Sequence, residues 1–175
     1  MSRLTPPVSD ADHRSGPEDA PVTLVEYGDF ECPACGAAYP NVEAVRQKMG
    51  ARLRFVFRHF PLTQMHPHAL HAAEAAEAAG AQDKFWPMHS MLFEHQDALE
   101  DEDLVGYAKA LHLDVKRFTS ELASETHVKR IRSDIGSGVR SGVNGTPTFF
   151  INGVRYDGSW DAADLLAAVE AAAVA

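Results

Sequence analysis

Cysteine is almost missing from this chain. There are two in 175 residues, Cys32 and Cys35, far too few for the disulfide scaffold of a small secreted protein. Basic residues are also scarce: 16 Lys and Arg stand against 25 Asp and Glu, a formal net charge of −9. That balance repels phosphate backbones and anionic lipid, and no basic stripe interleaved with aromatics reverses it locally. Nucleic-acid and membrane partners are therefore not expected. No uncharged apolar run approaches the ~18 residues needed to span a bilayer, and no internal repeat stands out. Residues 1–21 are polar, proline-rich and carry charges of both signs, so they lack the apolar stretch of a secretory signal. The expectation is a cytoplasmic, globular chain, in which a cysteine pair points to chemistry or to metal.

What is present is 45% hydrophobic residues, enough for one domain with a core. After a flexible tail over residues 1–20, residues 22–27 (VTLVEY) carry apolar side chains on both alternations, as in a strand buried on two sides. Residues 33–49 follow, with Ala38, Val42, Val45 and Met49 on one helical face, Pro40 bending the helix and Gly50 ending it. Residues 52–60 alternate as a strand, and a strand-helix-strand unit with so short a crossover makes its strands parallel. From residue 61 to about 143 the spacing turns helical, predicting four or five helices. Phe85 and Trp86 begin one of them, and Val128, Ile131, Ile135 and Val139 form the inner seam of another. Strand patterning returns over 148–151 and 154–156 around Asn152-Gly153, a strong hairpin signal. A last helix over 161–173 has Asp161 or Ser159 as its cap and Leu165, Leu166 and Val169 inward.

The Cys32-Pro33-Ala34-Cys35 segment falls where the first strand meets the first helix. Unpartnered N–H groups of the opening turn and the positive helix end favour an anionic sulfur at Cys32, which makes it the nucleophile. Cys35 is one turn further on the same face, within disulfide reach, and Pro33 sits at the first helical position without cost. Cys-x-x-Cys is also the commonest zinc half-motif. Here no second pair exists to complete a site, only His59, His66, His68 and His71, so no metal ligand is assigned.

With these pieces in view, the chain resembles the DsbA-like branch of the thioredoxin superfamily. The resemblance runs from about Gly16 into the last helix and rests on YGDFECPAC (residues 27–35), RFVFRHFPL (54–62) and GTPTFFING (145–153), in that branch's order and spacing. It implies an α/β thioredoxin-like fold with a mixed central sheet, a thioredoxin-like domain from residues 21–60 and 144–175, and an inserted helical subdomain over 61–143. It implies that Pro147 is a cis-proline beside the active-site disulfide, with the Thr146 backbone, Pro33 and Ala34 meeting an extended substrate segment; a proline there leaves the edge unpaired for that segment. It also places Glu26 where these proteins keep a partly buried carboxylate. Its role would be to relay the Cys35 proton, its own pKa raised by burial; the alternative is a structural ion pair with Arg54 or Arg58.

The implied activity is thiol-disulfide exchange with protein thiols or disulfides, Cys32 attacking and Cys35 resolving, with a redox partner to recycle the pair. No cofactor is needed beyond the redox-active disulfide, with glutathione as a candidate reductant. Ala34 departs from the histidine that the strongly oxidising members carry before the second cysteine. It can neither donate to nor offset a Cys32 thiolate, and Asp29 and Glu31 add negative charge nearby. Both effects predict a reductase or isomerase leaning. Two other classes compete: a glutathione-dependent isomerase or transferase of the same fold, against which Cys35 argues, and a metal-dependent or chaperone-like module using the Met- and Phe-bearing insert.

Overall fold

The computed structural model describes residues 2–175 and holds seven helices and five strands among them. In chain order these are β1 (His13–Ser15), β2 (Val22–Gly28), α1 (Pro33–Met49), β3 (Leu53–His59), α2 (Ala69–Gly80), α3 (Phe85–Glu94), α4 (Asp101–Ala110), α5 (Val115–Ala123), α6 (Val128–Arg140), β4 (Thr148–Ile151), β5 (Val154–Tyr156) and α7 (Ala162–Ala173). The strands make one mixed sheet in the order β1-β3-β2-β4-β5. The chain divides into two compact units.

The sheet unit takes the chain through Gly28, then Ala37–Arg58 and Gly136–Ala175. β2 lies between β3 and β4, and its antiparallel register with β4 pairs Glu26 with Phe149 and Tyr27 with Thr148. Both sheet faces are covered, which is why β2 and β3 are buried on both alternations. On one face α1 presents Ala38, Val42, Val45 and Met49, all buried as their spacing predicts, and Arg46 lies 4.9 Å over the Phe55 ring. Pro40 stays inside α1, on its exposed side, so its missing N–H faces solvent rather than the core. Asn152 and Gly153 have φ of 49° and 81°, the left-handed pair that a two-residue hairpin between β4 and β5 demands.

Of the tail expected over residues 1–20, Met1 lies outside the described residues, and residues 2–20 are not loose. β1 pairs antiparallel with β3, matching His13 with Phe57 and Ser15 with Phe55. At the other end of the sheet Leu4 N donates to Gly153 O and Arg155 N to Ser2 O, both at 2.9 Å, and Leu4 is buried. Polar, proline-rich composition misled here because these residues are held by backbone ladders and by polar bonds, not by an apolar stripe. α6 also differs from expectation. Its inner stripe is Val128, Ile131, Asp134 and Ser137, while Val139 is 64% exposed. Steps of three drift by about 60° each, so the buried stripe winds round α6 rather than running straight along it, and the inward polar groups have partners: Ser137 Oγ lies 2.8 Å from Tyr27 Oη, and Asp134 Oδ2 accepts from His59 N at 2.9 Å.

The helical unit is built from residues 29–36 and His59–Ile135. α2 is its axis, with its alanines buried and α3, α4 and α5 packed against it; small side chains permit that close approach. Phe85, Met88, Leu92 and Phe93 of α3 are buried, so the Met- and Phe-bearing stripe is core and not an adaptable surface. The division differs from the sequence-based one, which kept residues 29–36 with the strands.

Candidate active site

Cys32 immediately precedes α1, and its carbonyl accepts the N–H of Gly36 at 3.0 Å. It is therefore the cap residue of the helix, with Pro33 in the first helical position. A side chain there faces the N–H groups of the first turn. Cys32 is 6% exposed and Cys35, one turn in, is fully buried; the two are not joined in a disulfide. Pro33 is exposed and Ala34 half-buried. Cys32 therefore keeps a small exposure to solvent and Cys35 has none.

The turn before Cys32 is tied down by residues that sequence reasoning either missed or gave a different role. Asp29, buried, accepts from Glu31 N through Oδ1 at 2.8 Å, and through Oδ2 from Leu62 N at 2.9 Å; the same Oδ2 lies 2.7 Å from His66 Nδ1. Glu31 Oε1 accepts from His68 N at 2.7 Å. Gln96 Nε2 donates to both Phe30 O and Cys32 O, at 2.9 and 2.8 Å. The Phe30 ring sits among Phe93, His89 and His59 at centroid distances of 4.8, 5.7 and 6.0 Å. These contacts explain why residues 29–36 group with the helices. Gln96 is 64 residues from Cys32, and nothing local in the sequence signals it. Of the four histidines considered as zinc ligands, three lie against separate carboxylates: His59 on Glu77, His66 on Asp29 and His71 on Asp101, at 2.7 to 2.8 Å.

Glu26, Thr146 and Pro147 belong to the sheet unit. The Thr146–Pro147 peptide bond is cis, both residues are half-buried, and the strand they begin, β4, pairs with the end of β2. Glu26 is buried. Neither arginine weighed as its ion-pair partner shares its face of the sheet: Arg54 donates to Thr23 Oγ1 at 3.0 Å and Arg58 to Tyr27 Oη at 2.9 Å, and Thr23 and Tyr27 alternate with Glu26 along β2. Glu26 instead shares its face with Gly28. A Cβ on Gly28 would stand 2.5 Å from Phe57 Cε2 and 3.0 Å from Glu26 Oε2. The Gly28→Ala variant is accordingly expected to lose about 1–3 kcal/mol in urea unfolding, since a buried aromatic ring must shift; an unchanged midpoint would show that Phe57 and Glu26 are not packed as described.

The thioredoxin family model matches residues 9–171. Among known proteins, the Na(+)/H(+) antiporter NhaA 1 of Salinispora arenicola is 50% identical over 169 residues, which are 97% of this chain and 26% of the antiporter. NhaA of Herminiimonas arsenicoxydans is 48% identical over 169 residues, 96% of this chain and 27% of its own length. The chain thus spans about a quarter of these relatives. No described helix is long and apolar enough to cross a membrane. Among solved structures, oxidised BdbD from Bacillus subtilis superposes with a TM-score of 0.87 at 24% identity, covering 99% of both chains. Wolbachia pipientis alpha-DsbA1 gives 0.82 at 20% identity, over 98% of this chain and 94% of that one. The fold is therefore the thioredoxin-like one with a helical insertion, as the sequence motifs implied.

Proposed function

Because the chain belongs to the thioredoxin family, with the matched region enclosing the Cys32–Cys35 turn, we propose that it is a thiol-disulfide oxidoreductase acting on proteins. The observation that carries this reading is the pairing of a slightly exposed Cys32 at the cap of α1 with a sealed Cys35 one turn behind it. Unpaired N–H groups and the helix dipole stabilise a thiolate at the first position. That thiolate attacks one sulfur of a substrate disulfide, forming a mixed disulfide and releasing the other substrate sulfur as a thiolate that takes up a proton. Cys35, deprotonated, then attacks the Cys32 sulfur and releases the second substrate thiol. Two electrons pass to the substrate and a Cys32–Cys35 disulfide remains, to be reduced by a dithiol partner or by glutathione. Run backwards, the same steps oxidise a substrate dithiol.

In this reading the Thr146 and Pro147 backbone, Pro33 and Ala34 are the groups that meet an extended substrate segment. Glu26 takes and returns the Cys35 proton. The reducing lean rests on Ala34, which offers no hydrogen bond or charge to a Cys32 thiolate. The contribution of Asp29 and Glu31 is smaller than their position in the sequence suggests, because both carboxylates accept from backbone N–H groups and Asp29 also faces His66. Sodium-proton exchange belongs to the antiporters, which carry it in proteins about four times as long.

The decisive experiment is the reduction potential of the Cys32–Cys35 pair, measured by equilibration across glutathione ratios with free thiols counted by mass. A value near that of thioredoxin, roughly −270 mV, is expected. A value near −120 mV would overturn the reducing lean, and failure to form an intramolecular disulfide would overturn the exchange mechanism itself.

A further inference from the structure

Within the helical unit a cavity of about 360 Å³ opens between α2, α4 and α5, at the small end of the range for ligand sites, about 300–1,000 Å³. Its walls include Val105 and Leu122, its titratable groups are His71, Glu74, Asp101 and Glu125, and Thr119 adds a hydroxyl that donates to Val115 O at 2.8 Å. No lysine or arginine lines it. Glu74 is only 3% exposed, and its buried Oε1 has no hydrogen-bond partner among the described residues. A buried carboxylate oxygen in that condition is costly and calls for a partner.

The groups around Glu74 do not supply one. Burial pushes its pKa up, His71 opposes that, Glu125 adds to it, His127 opposes it, and Asp101 adds again. Both histidines are already engaged elsewhere, His71 Nδ1 with Asp101 Oδ1 and His127 Nε2 with Glu121 Oε1, each at 2.8 Å. Three carboxylates thus surround a space with no free cation of the protein's own. A bare metal ion fits poorly: among the described residues, no three of these four bring ligand atoms within 4.8 Å of one another. The apolar walls suit a carbon stem.

We propose that this cavity binds an alkylammonium or alkylguanidinium group, its cationic head on Glu74 and its stem along Val105 and Leu122. The site is independent of the cysteine chemistry. The rim groups Asp101 and Glu125 are exposed, so the head enters past negative charge and loses its water only at Glu74.

The test is titration of the full ¹⁵N-labelled chain with n-butylammonium and n-butylguanidinium, with butanol, butyrate and Ca²⁺ as controls. Saturable shifts at His71, Val105 and Leu122 are expected with the two cations alone. Affinity should rise between pH 5 and pH 8, because burial raises the Glu74 pKa and protonation of Glu74 removes the acceptor charge. Glu74→Gln is expected to weaken binding about thirtyfold or more, and the exposed Glu125→Gln about two- to fivefold. Butanol binding as tightly as the cations, Ca²⁺ saturating the same residues, or unchanged affinity in Glu74→Gln would each overturn the proposal. Should Glu74→Gln not fold, unchanged affinity in Glu125→Gln overturns it instead. Nα-acetyl-lysine amide separates the sources: binding tighter than butylammonium assigns the head group to a protein side chain, and weaker binding to a free amine.

Discussion

Changed at Cys35 to serine, the protein is expected to accumulate a covalent adduct with its substrate, one equivalent per chain and joined through Cys32. Changed at Cys32, it should form none. The asymmetry follows from the two burials. Only Cys32 opens to solvent, and Cys35 is sealed inside the first turn of α1, so Cys35 can meet the Cys32 sulfur but not an incoming disulfide. Steady-state disulfide reduction should fall at least about a thousandfold in either variant, because members of a catalytic unit fail together when one is lost. Intact-mass spectrometry against a disulfide-bonded protein substrate distinguishes the two. Adducts on Cys32→Ser, or turnover by Cys35→Ser near the parent rate, would exclude the division of labour between attacking and resolving thiols.

A second large effect is expected within the sheet unit, at Asp12. Its carboxylate receives Arg58 Nε at 2.8 Å and Nη2 at 3.0 Å, and the same guanidinium donates to Tyr27 Oη and to the carbonyls of Pro6 and Pro7. The two side chains are 3% and 6% exposed, Arg58 and Asp12 respectively. Burial alone would lower the Arg58 pKa, but the hydrogen bonds and charges of Asp12 and Tyr27 outweigh it and hold the guanidinium above its ordinary value. Asp12→Ala removes the counter-charge and leaves a buried cation, at a cost of about 3–5 kcal/mol. In a chain of this size that lowers the melting temperature by roughly 10 °C. Asp12→Asn keeps one acceptor and should lose less, while Asp12→Ala combined with Arg58→Met should recover much of the loss. A melting temperature within about 1 °C of the parent for Asp12→Ala would show the pair to be incidental.

The strands, α1 and the hairpin were legible in the sequence because apolar spacing and turn chemistry are local signals. The periods at Ala38, Val42, Val45 and Met49, and the Asn152-Gly153 turn, needed no partner to be recognised. Cys32 and Cys35 were legible as a chemical pair for the same reason, since their separation sets their helical geometry. What stayed hidden was held by polar contacts between distant residues. Gln96 reaches back to the turn at Cys32, Asp12 reaches forward to Arg58, and Asp134 and Ser137 put polar groups on the inner stripe where Ile135 and Val139 had been expected. Hydrophobic periodicity cannot find such positions, because an inward aspartate with a buried donor looks identical in sequence to an outward one in water. Asp29 illustrates the point: its charge was read as acting on Cys32, whereas its oxygens anchor the segment carrying Leu62 and His66.

Residues 2–15 fasten the sheet on both flanks. Ser2–Leu4 lie along the outer side of β5, β1 is itself the opposite margin, and residues 9–11 between them are exposed. A strand margin stripped of its cover is a template for pairing with another molecule. A protease cut in that exposed stretch would detach Ser2–Leu4 from the rest of the chain, while β1, beyond the cut, stays joined to β2. The β5 margin would then be covered only by the short detached piece, and with that piece gone it would stand open as a template for another strand.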